Sequence, residues 1–137
     1  VTNIRNTRSP HWRRWLGMEN RCVVPFTSFA ESNPNRARDG ETNKWFAIND
    51  ERPLAFFAGI HLQAHTSVRK IKTGMETIDV FAFLTTDPNA EVGAVHPKAM
   101  PVILTQASEI ETWLSADWSE ARHLQRPLDD DQLIELD

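Results

Sequence analysis

Apolar positions recur along the chain in short blocks whose spacing alternates between helical and extended. Trp12, Trp15 and Leu16 stand at i, i+3 and i+4 behind Ser9-Pro10, a capping residue followed by proline at a first helical position. This predicts a short helix with Arg13 and Arg14 off the apolar stripe. Val1–Asn6 reads as short and extended. Cys22–Phe26 is an apolar, β-branched run and predicts a buried strand, with Pro25 marking a bulge or an edge. Phe29–Glu31 continues extended. Residues 32–43 (SNPNRARDGETN) carry turn chemistry and no apolar face, which predicts an exposed, mobile loop. Further strands are expected at Lys44–Ile48, Leu54–Leu62 and Thr77–Thr85. Asn49-Asp50-Glu51 reads as a turn and the polar, basic stretch Gln63–Gly74 as a hairpin connection.

Asp87-Pro88 repeats the order of cap then proline and predicts a short helix. Met100–Leu104 reads as a short buried strand. Thr105 is expected to cap a helix carrying Ile110, Trp113 and Leu114 on one face. Asp117 and Glu120 give a D-x-x-E start to another short helix, and Asp129 the start of a last one. No internal repeat, low-complexity tract or linker interrupts residues 1–137. Strands among short helices, without βαβ alternation, predict a single α+β domain on a mostly antiparallel sheet.

Composition narrows the class. The 137 residues suffice for one core, and 40% hydrophobic with 25% charged residues are ordinary globular values. No apolar run approaches the roughly 18 residues of a membrane span, and Val1–Arg14 lacks an apolar signal region. A single cysteine, Cys22, excludes an internal disulfide and a multi-cysteine zinc site and fits a cytoplasmic setting. Inside an apolar run Cys22 reads as a small, inert hydrophobe. The net charge of -4 argues against a generally basic nucleic-acid binder. Yet residues 1–40 hold seven arginines against three acids, and residues 105–137 two against nine. Such polarity gives either a phosphate-attracting face or an unevenly charged solvated surface.

Two side chains have the chemistry of proton carriers. Glu31 ends a predicted strand beside a polar loop, where scaffolds present reactive groups. His96 precedes Pro97 and a buried strand, and a loop histidine shuttles protons near neutral pH. Their plain alternatives are a surface carboxylate and a hydrogen-bonded structural histidine. His61 and His65 would share a helix face for a metal, but His61 falls on the predicted strand and His65 in the connection after it, so the pair would diverge, and no metal or other cofactor is expected. The five tryptophans read mainly as core, with those near the basic N-terminal segment able to stack on bases.

Several segments together resemble one family. Asn3-Ile4-Arg5 is similar to the N-A-R element of the SOS response-associated peptidase (SRAP) family. Arg21–Pro25 with Ser28-Phe29-Ala30-Glu31 resembles its R-C-L-V-P-x-x-G-F-Y-E-W, and Leu54–Ile60 its L-A-F-A-G-L strand. Val80–Thr86 with Asn89 resembles F-x-I-I-T-T-x-A-N. His96 with Met100–Leu104 resembles H-x-R-M-P-V-I-L, and Trp113-Leu114 stands where the family has W-L. The elements keep the family's order across nearly the whole chain.

The resemblance implies a barrel-like sheet core flanked by short helices, and a protein that binds single-stranded DNA and captures abasic sites. The family's nucleophile is a cysteine exposed by removal of the initiator methionine. Its amine condenses with the sugar aldehyde and its thiol closes a thiazolidine. By position, Asn3 would orient that cysteine, Glu31 would shuttle protons, and His96 would protonate the ring oxygen of the sugar. Arg5 would hold a phosphate. Arg8, Arg13, Arg14 and Lys98 would extend the DNA path, a solvent-exposed helix face being the plainer reading of Arg13 and Arg14. Self-processing peptidase activity, a monomer and a cytoplasmic, bacterial or phage-related setting go with it.

Because Val1 stands inside the pattern, the chain is expected to be the larger C-terminal part of the domain, with the cysteine upstream. Ala30 and Ser32 replace the aromatic neighbours of the family's glutamate, which predicts less apolar bulk to raise the Glu31 pKa. Ser28 replaces a glycine. The His96–Met100 spacing is one residue longer than the commoner form. Lys98 stands near the usual arginine and keeps the charge without the bidentate fork. Two alternatives stay open: an SRAP-like module that only holds single strands, and an unrelated metal-assisted hydrolase using His61, His65 and His96.

Overall fold

The computed structural model describes residues 3–137; of the extended stretch expected at Val1–Asn6, Val1 and Thr2 lie outside the described residues. Its strands are β1 (Asn3–Ile4), β2 (Arg21–Phe26), β3 (Phe29–Ser32), β4 (Asn43–Ala47), β5 (Ala55–Lys70) and β6 (Gly74–Thr86), followed by β7 (Met100–Pro101), β8 (Ile103–Leu104) and β9 (Ile134–Leu136). Helices are short: α1 (Pro10–Arg13), α2 (Arg36–Asp39), α3 (Ala90–Gly93), α4 (Ala107–Ser115) and α5 (Trp118–Ala121), followed by a 3-10 turn at Arg122–Leu124. One sheet has the order β1-β6-β5-β2, with β7 added to β6 and β8 to β5; a second has the order β3-β4-β9. Among the described residues only the β1–β6 pair is parallel. The result is the expected α+β class, with the larger sheet curved into a half-barrel.

Period-2 alternation splits the core in two. One cluster, with Ala58 and Ile60 of β5 and Ala82 and Leu84 of β6, packs on Leu16 and Trp113. The other, with Phe26, Ala55 and Phe57, meets Phe29 and Phe46 of the smaller sheet together with Val92 and Met100. Trp113 of α4 is fully buried, and its indole N–H donates to the carbonyls of Cys22 (2.8 Å) and Gly59 (3.2 Å). That clamps the helix across the β2–β5 ladder. Gly59 fits there because any Cβ would lie 2.8 Å from the carbonyl oxygen of Ala82.

The predicted helix at Ser9-Pro10 forms, its Ser9 hydroxyl accepting from the His11 N–H (3.3 Å). Pro25 lies, as one of its two readings had it, on an edge strand. Other expectations are corrected. The 32–43 loop contains α2 and is organised by buried Asn33, which donates to the Glu41 carbonyl (2.8 Å) and accepts from the Asn35 N–H (3.0 Å). Most of Gln63–Gly74 continues β5, because its backbone finds a partner in β6. Asp87 does not cap α3: Asn89 does, accepting from the Val92 N–H (3.1 Å). The cap of α4 is Gln106, not Thr105, with Glu109 accepting from both backbone N–H groups. Leu114 is exposed and falls off the buried face of α4. Met100–Leu104 is two strands on different partners. Asp129 starts no helix; the segment leads into β9, and Asp130 accepts from Ala90 at the start of α3 (2.7 Å).

Candidate active site

Three segments far apart in sequence meet at the end of the half-barrel. β1 lies along β6 with Asn3 beside Phe83. β3 carries Glu31, and α3 ends so that the His96 N–H donates to the Val92 carbonyl (2.7 Å). Between them is a cavity of about 330 Å³ lined by Asn3, Glu31 and His96, with Phe29, Phe57, Phe83, Thr85 and Met100 among its walls. Gln125 bridges the strand ends nearby: its amide N–H group donates to the carbonyls of Arg5 (2.9 Å) and Thr85 (3.1 Å), and its amide oxygen accepts from the Thr7 hydroxyl (3.0 Å). This ties the end of β1 to the end of β6 and fixes the strand that bears Asn3. A larger hollow lies beside α3, lined by Asn89, Pro97, Leu128 and Asp129 among others, without Glu31 or His96.

Glu31 and His96 are the titratable side chains that line the smaller cavity. A Glu31 carboxylate oxygen lies 3.9 Å from His96 Nδ1. The Ala99 carbonyl lies 2.8 Å from the same nitrogen and can only accept, so Nδ1 carries a proton. In the neutral ring Nε2 is then the basic nitrogen. Burial pushes the Glu31 carboxyl above its ordinary value, and the charge of His96 opposes that only in part. Lys44 is the cross-strand partner of Glu31, but its amine is held by Glu41, Asp39 (3.9 Å) and Glu135 (3.7 Å). Glu31 therefore keeps a raised pKa beside a lysine on the neighbouring strand. The expected loss of apolar bulk around it is corrected: the walls come from Phe29, Phe57 and Phe83, so Ala30 and Ser32 do not leave Glu31 in water.

The raised pKa fixes a sign. The folded state favours the protonated carboxyl, so this contribution to stability is complete below the ordinary value of 4.5 and is lost as pH rises through the higher folded value. Glu31→Gln cannot ionise. It is expected to gain stability relative to wild type between pH 4 and pH 7, seen as diverging urea midpoints. A difference that stays constant over that range would exclude a carboxyl disfavoured in its charged form.

Residues 3–136 match the sequence model of the SOS response associated peptidase family, SRAP. The chain belongs to the SRAP family. No curated protein matches the sequence. In this SRAP chain the cations expected along a DNA path divide by location. Arg5 follows Asn3, donates to the Lys98 carbonyl (3.2 Å) and pairs with Asp87, so Arg5 and exposed Lys98 adjoin. Asp87 was not read as a site residue; the T-T-D-P order before Asn89 is its only trace in the sequence. Arg8 is exposed in the turn after β1. Arg13 ends α1, whose Trp12 packs on the core cluster across the sheet from the cavity, and Arg14 follows as its cap and lies over the Trp15 ring at 3.9 Å. They do not gather with Asn3, Glu31 and His96. Half-buried Cys22 does not line the cavity, and burial pushes its thiol pKa up. Among the described residues no group of three metal-ligating side chains occurs, and no helix is long and apolar enough to cross a membrane.

Proposed function

We propose that the cavity captures abasic sites in single-stranded DNA through an N-terminal cysteine carried ahead of Val1 in the full-length protein. The observation that carries this reading is the convergence of Asn3, Glu31 and His96 in one cavity, with Glu31 and His96 3.9 Å apart. The ring-closed sugar opens when a proton reaches its ring oxygen and the anomeric hydroxyl gives one up. In this reading His96 carries that proton. The free α-amine, whose ordinary pKa is near 8, attacks the aldehyde carbon. Glu31 takes the proton the nitrogen sheds and returns one to the departing hydroxyl, so water leaves and an imine forms. The cysteine thiol adds across the carbon–nitrogen double bond, its proton moving to nitrogen, and closes the thiazolidine. Both nucleophiles sit on one residue, which gives the second step the advantage of proximity. Asn3 on its short strand is the polar group able to orient the incoming terminus, and Arg5 and Lys98 offer positive charge to the flanking phosphates.

The same atoms account for peptidase chemistry. The thiol of a cysteine behind the initiator methionine, attacking the methionine carbonyl, needs a proton acceptor and then a donor to its own departing amine, and water then hydrolyses the thioester and frees the methionine. Cys22 is not a substitute nucleophile, being half-buried, outside the cavity and with a raised pKa.

The test is covalent. Full-length protein, incubated with a single-stranded oligonucleotide bearing one abasic site, is expected to give a band that survives a denaturing gel, and none with the undamaged strand. Salt-dependent binding with no such band would favour a module that only holds single strands.

A further inference from the structure

The β5–β6 hairpin runs well past the rest of its sheet. Among the described residues β2 accompanies β5 only as far as Ile60, and β1 accompanies β6 only at Phe83 and Leu84. From His65↔Ile78 to Lys70↔Gly74 the two strands have only each other as strand partners among the described residues. A register shift sets this arm off from the sheet. It falls between Leu62 and His65, with Ala64 at φ 49 and its N–H bound by the Asp79 carboxylate (2.9 Å). A shift of this kind bends and twists a ribbon. One face leans back on the domain, with His65 edge-on to Trp15 at 5.9 Å. The other exposes Val68 and Met75 as a cross-strand pair, with Thr66 and Thr77 hydroxyl to hydroxyl at 2.7 Å.

The tip is apolar and basic at once. Ile71 is 96% exposed and stands between Lys70 and Lys72. Neither lysine has an acidic partner among the described residues, and Arg69 meets Glu76 only at 4.0 Å. Ile71, Val68 and Met75 are exposed together on this arm, and the cations beside them are a local reversal of sign on a chain of net charge -4.

We propose that this arm is a second DNA contact, a two-stranded ribbon that lies in the major groove of duplex flanking the captured strand. It rests on the reading of the cavity as a DNA site. The major groove, about 12 Å wide, admits a two-stranded ribbon. Lys70 and Lys72 meet the phosphates beside the groove. Ile71, Val68 and the Thr66–Thr77 pair offer the apolar and hydroxyl contacts that base edges accept. The spacing sets a length. Gly74 lies nine residues along β6 from the cavity-lining Phe83. At about 3.3 Å per residue that places the tip roughly 30 Å away. Duplex rises about 3.4 Å per base pair, so the flank must reach about nine base pairs before the arm engages it.

Fluorescence anisotropy on the full-length protein tests this. The probes are a single strand of about ten nucleotides and strands in which duplex of about six or about fifteen base pairs begins beside the captured position, on either side. A step in affinity is expected between the two extensions on one side. Lys70→Ala/Lys72→Ala should remove the step, leave the single strand bound as before, and lower the salt slope by about two. Between 50 and 200 mM salt the wild type should therefore lose roughly tenfold more affinity for the long probe than the double variant does. Equal affinity for both extensions, or an unchanged slope, overturns the proposal. Failure of the wild type to bind the single strand strikes the reading of the cavity alone. A plain fifteen-base-pair duplex then decides for the arm, supporting it if the double substitution weakens binding and overturning it if binding is unchanged.

Discussion

Glu31→Gln is expected to slow covalent capture of an abasic strand by about 10²- to 10³-fold while leaving single-strand affinity within about twofold, the range typical of losing one positioned proton carrier. Gln keeps the shape and one acceptor oxygen but cannot take a proton from the attacking amine. Glu31 lines the cavity, is largely shielded from solvent and holds a carboxyl whose pKa burial raises, which brings its proton affinity toward the working pH of a general base. The rate should also lose its acid limb. In the wild type that limb lies above the ordinary carboxyl value of 4.5, because ionisation must come first. Single-turnover cross-linking across pH, beside anisotropy on undamaged DNA, separates chemistry from binding. Equal loss of both would make Glu31 a structural or DNA-contacting residue.

Trp113→Ala is expected to destabilise the fold by about 3–5 kcal/mol, the usual cost of emptying a fully buried aromatic position. The indole has no exposed surface, packs with Leu16 and Leu84, and meets the Trp118 ring at 6.0 Å. Its two hydrogen bonds hold α4 on β2 and β5. Trp113→Phe keeps most of the apolar volume and gives up the N–H, so a smaller loss of about 1–2 kcal/mol is expected. Urea unfolding of the three proteins measures both. A Phe variant as unstable as the Ala variant would assign the effect to the hydrogen bonds; no loss in either would remove Trp113 from the core.

Much of the site was legible because its chemistry is local. Glu31 ends a strand before a turn-forming run and His96 follows a short helix, so each could be singled out without knowledge of the other. The resemblance to the family's motifs added Asn3 and the order of the parts. What surrounds Glu31 was misjudged for a physical reason. Ala30 and Ser32 are its chain neighbours, but side chains alternate across a strand, and its environment comes from Phe29 on its own face and from Phe57 and Phe83 of the other sheet. Capping was misassigned in a related way. The acidic run at Asp129–Asp131 has cap chemistry, but Asp130 spends it on the N–H of Ala90, the first residue of a helix some forty positions earlier. Asp87 is drawn instead to Arg5.

From sequence alone came the elements whose signal is dense: the capped helix at Ser9-Pro10, the apolar strands of the half-barrel, the buried Trp113, and the α+β class. In each, period and composition agree within a few residues, and burying that many apolar groups leaves few arrangements. Tertiary structure alone decided the rest. Polar Gln63–Lys70 is extended because β6 supplies hydrogen bonds, and Ile134–Leu136 because β4 does. Met100–Leu104 divides because β6 takes one end and β5 the other. Backbone groups must find partners, and where side chains state no preference the partner settles the conformation. The meeting of Asn3, Glu31 and His96 is of the same kind, since only the closure of one sheet over the other brings residues 3, 31 and 96 to a common cavity.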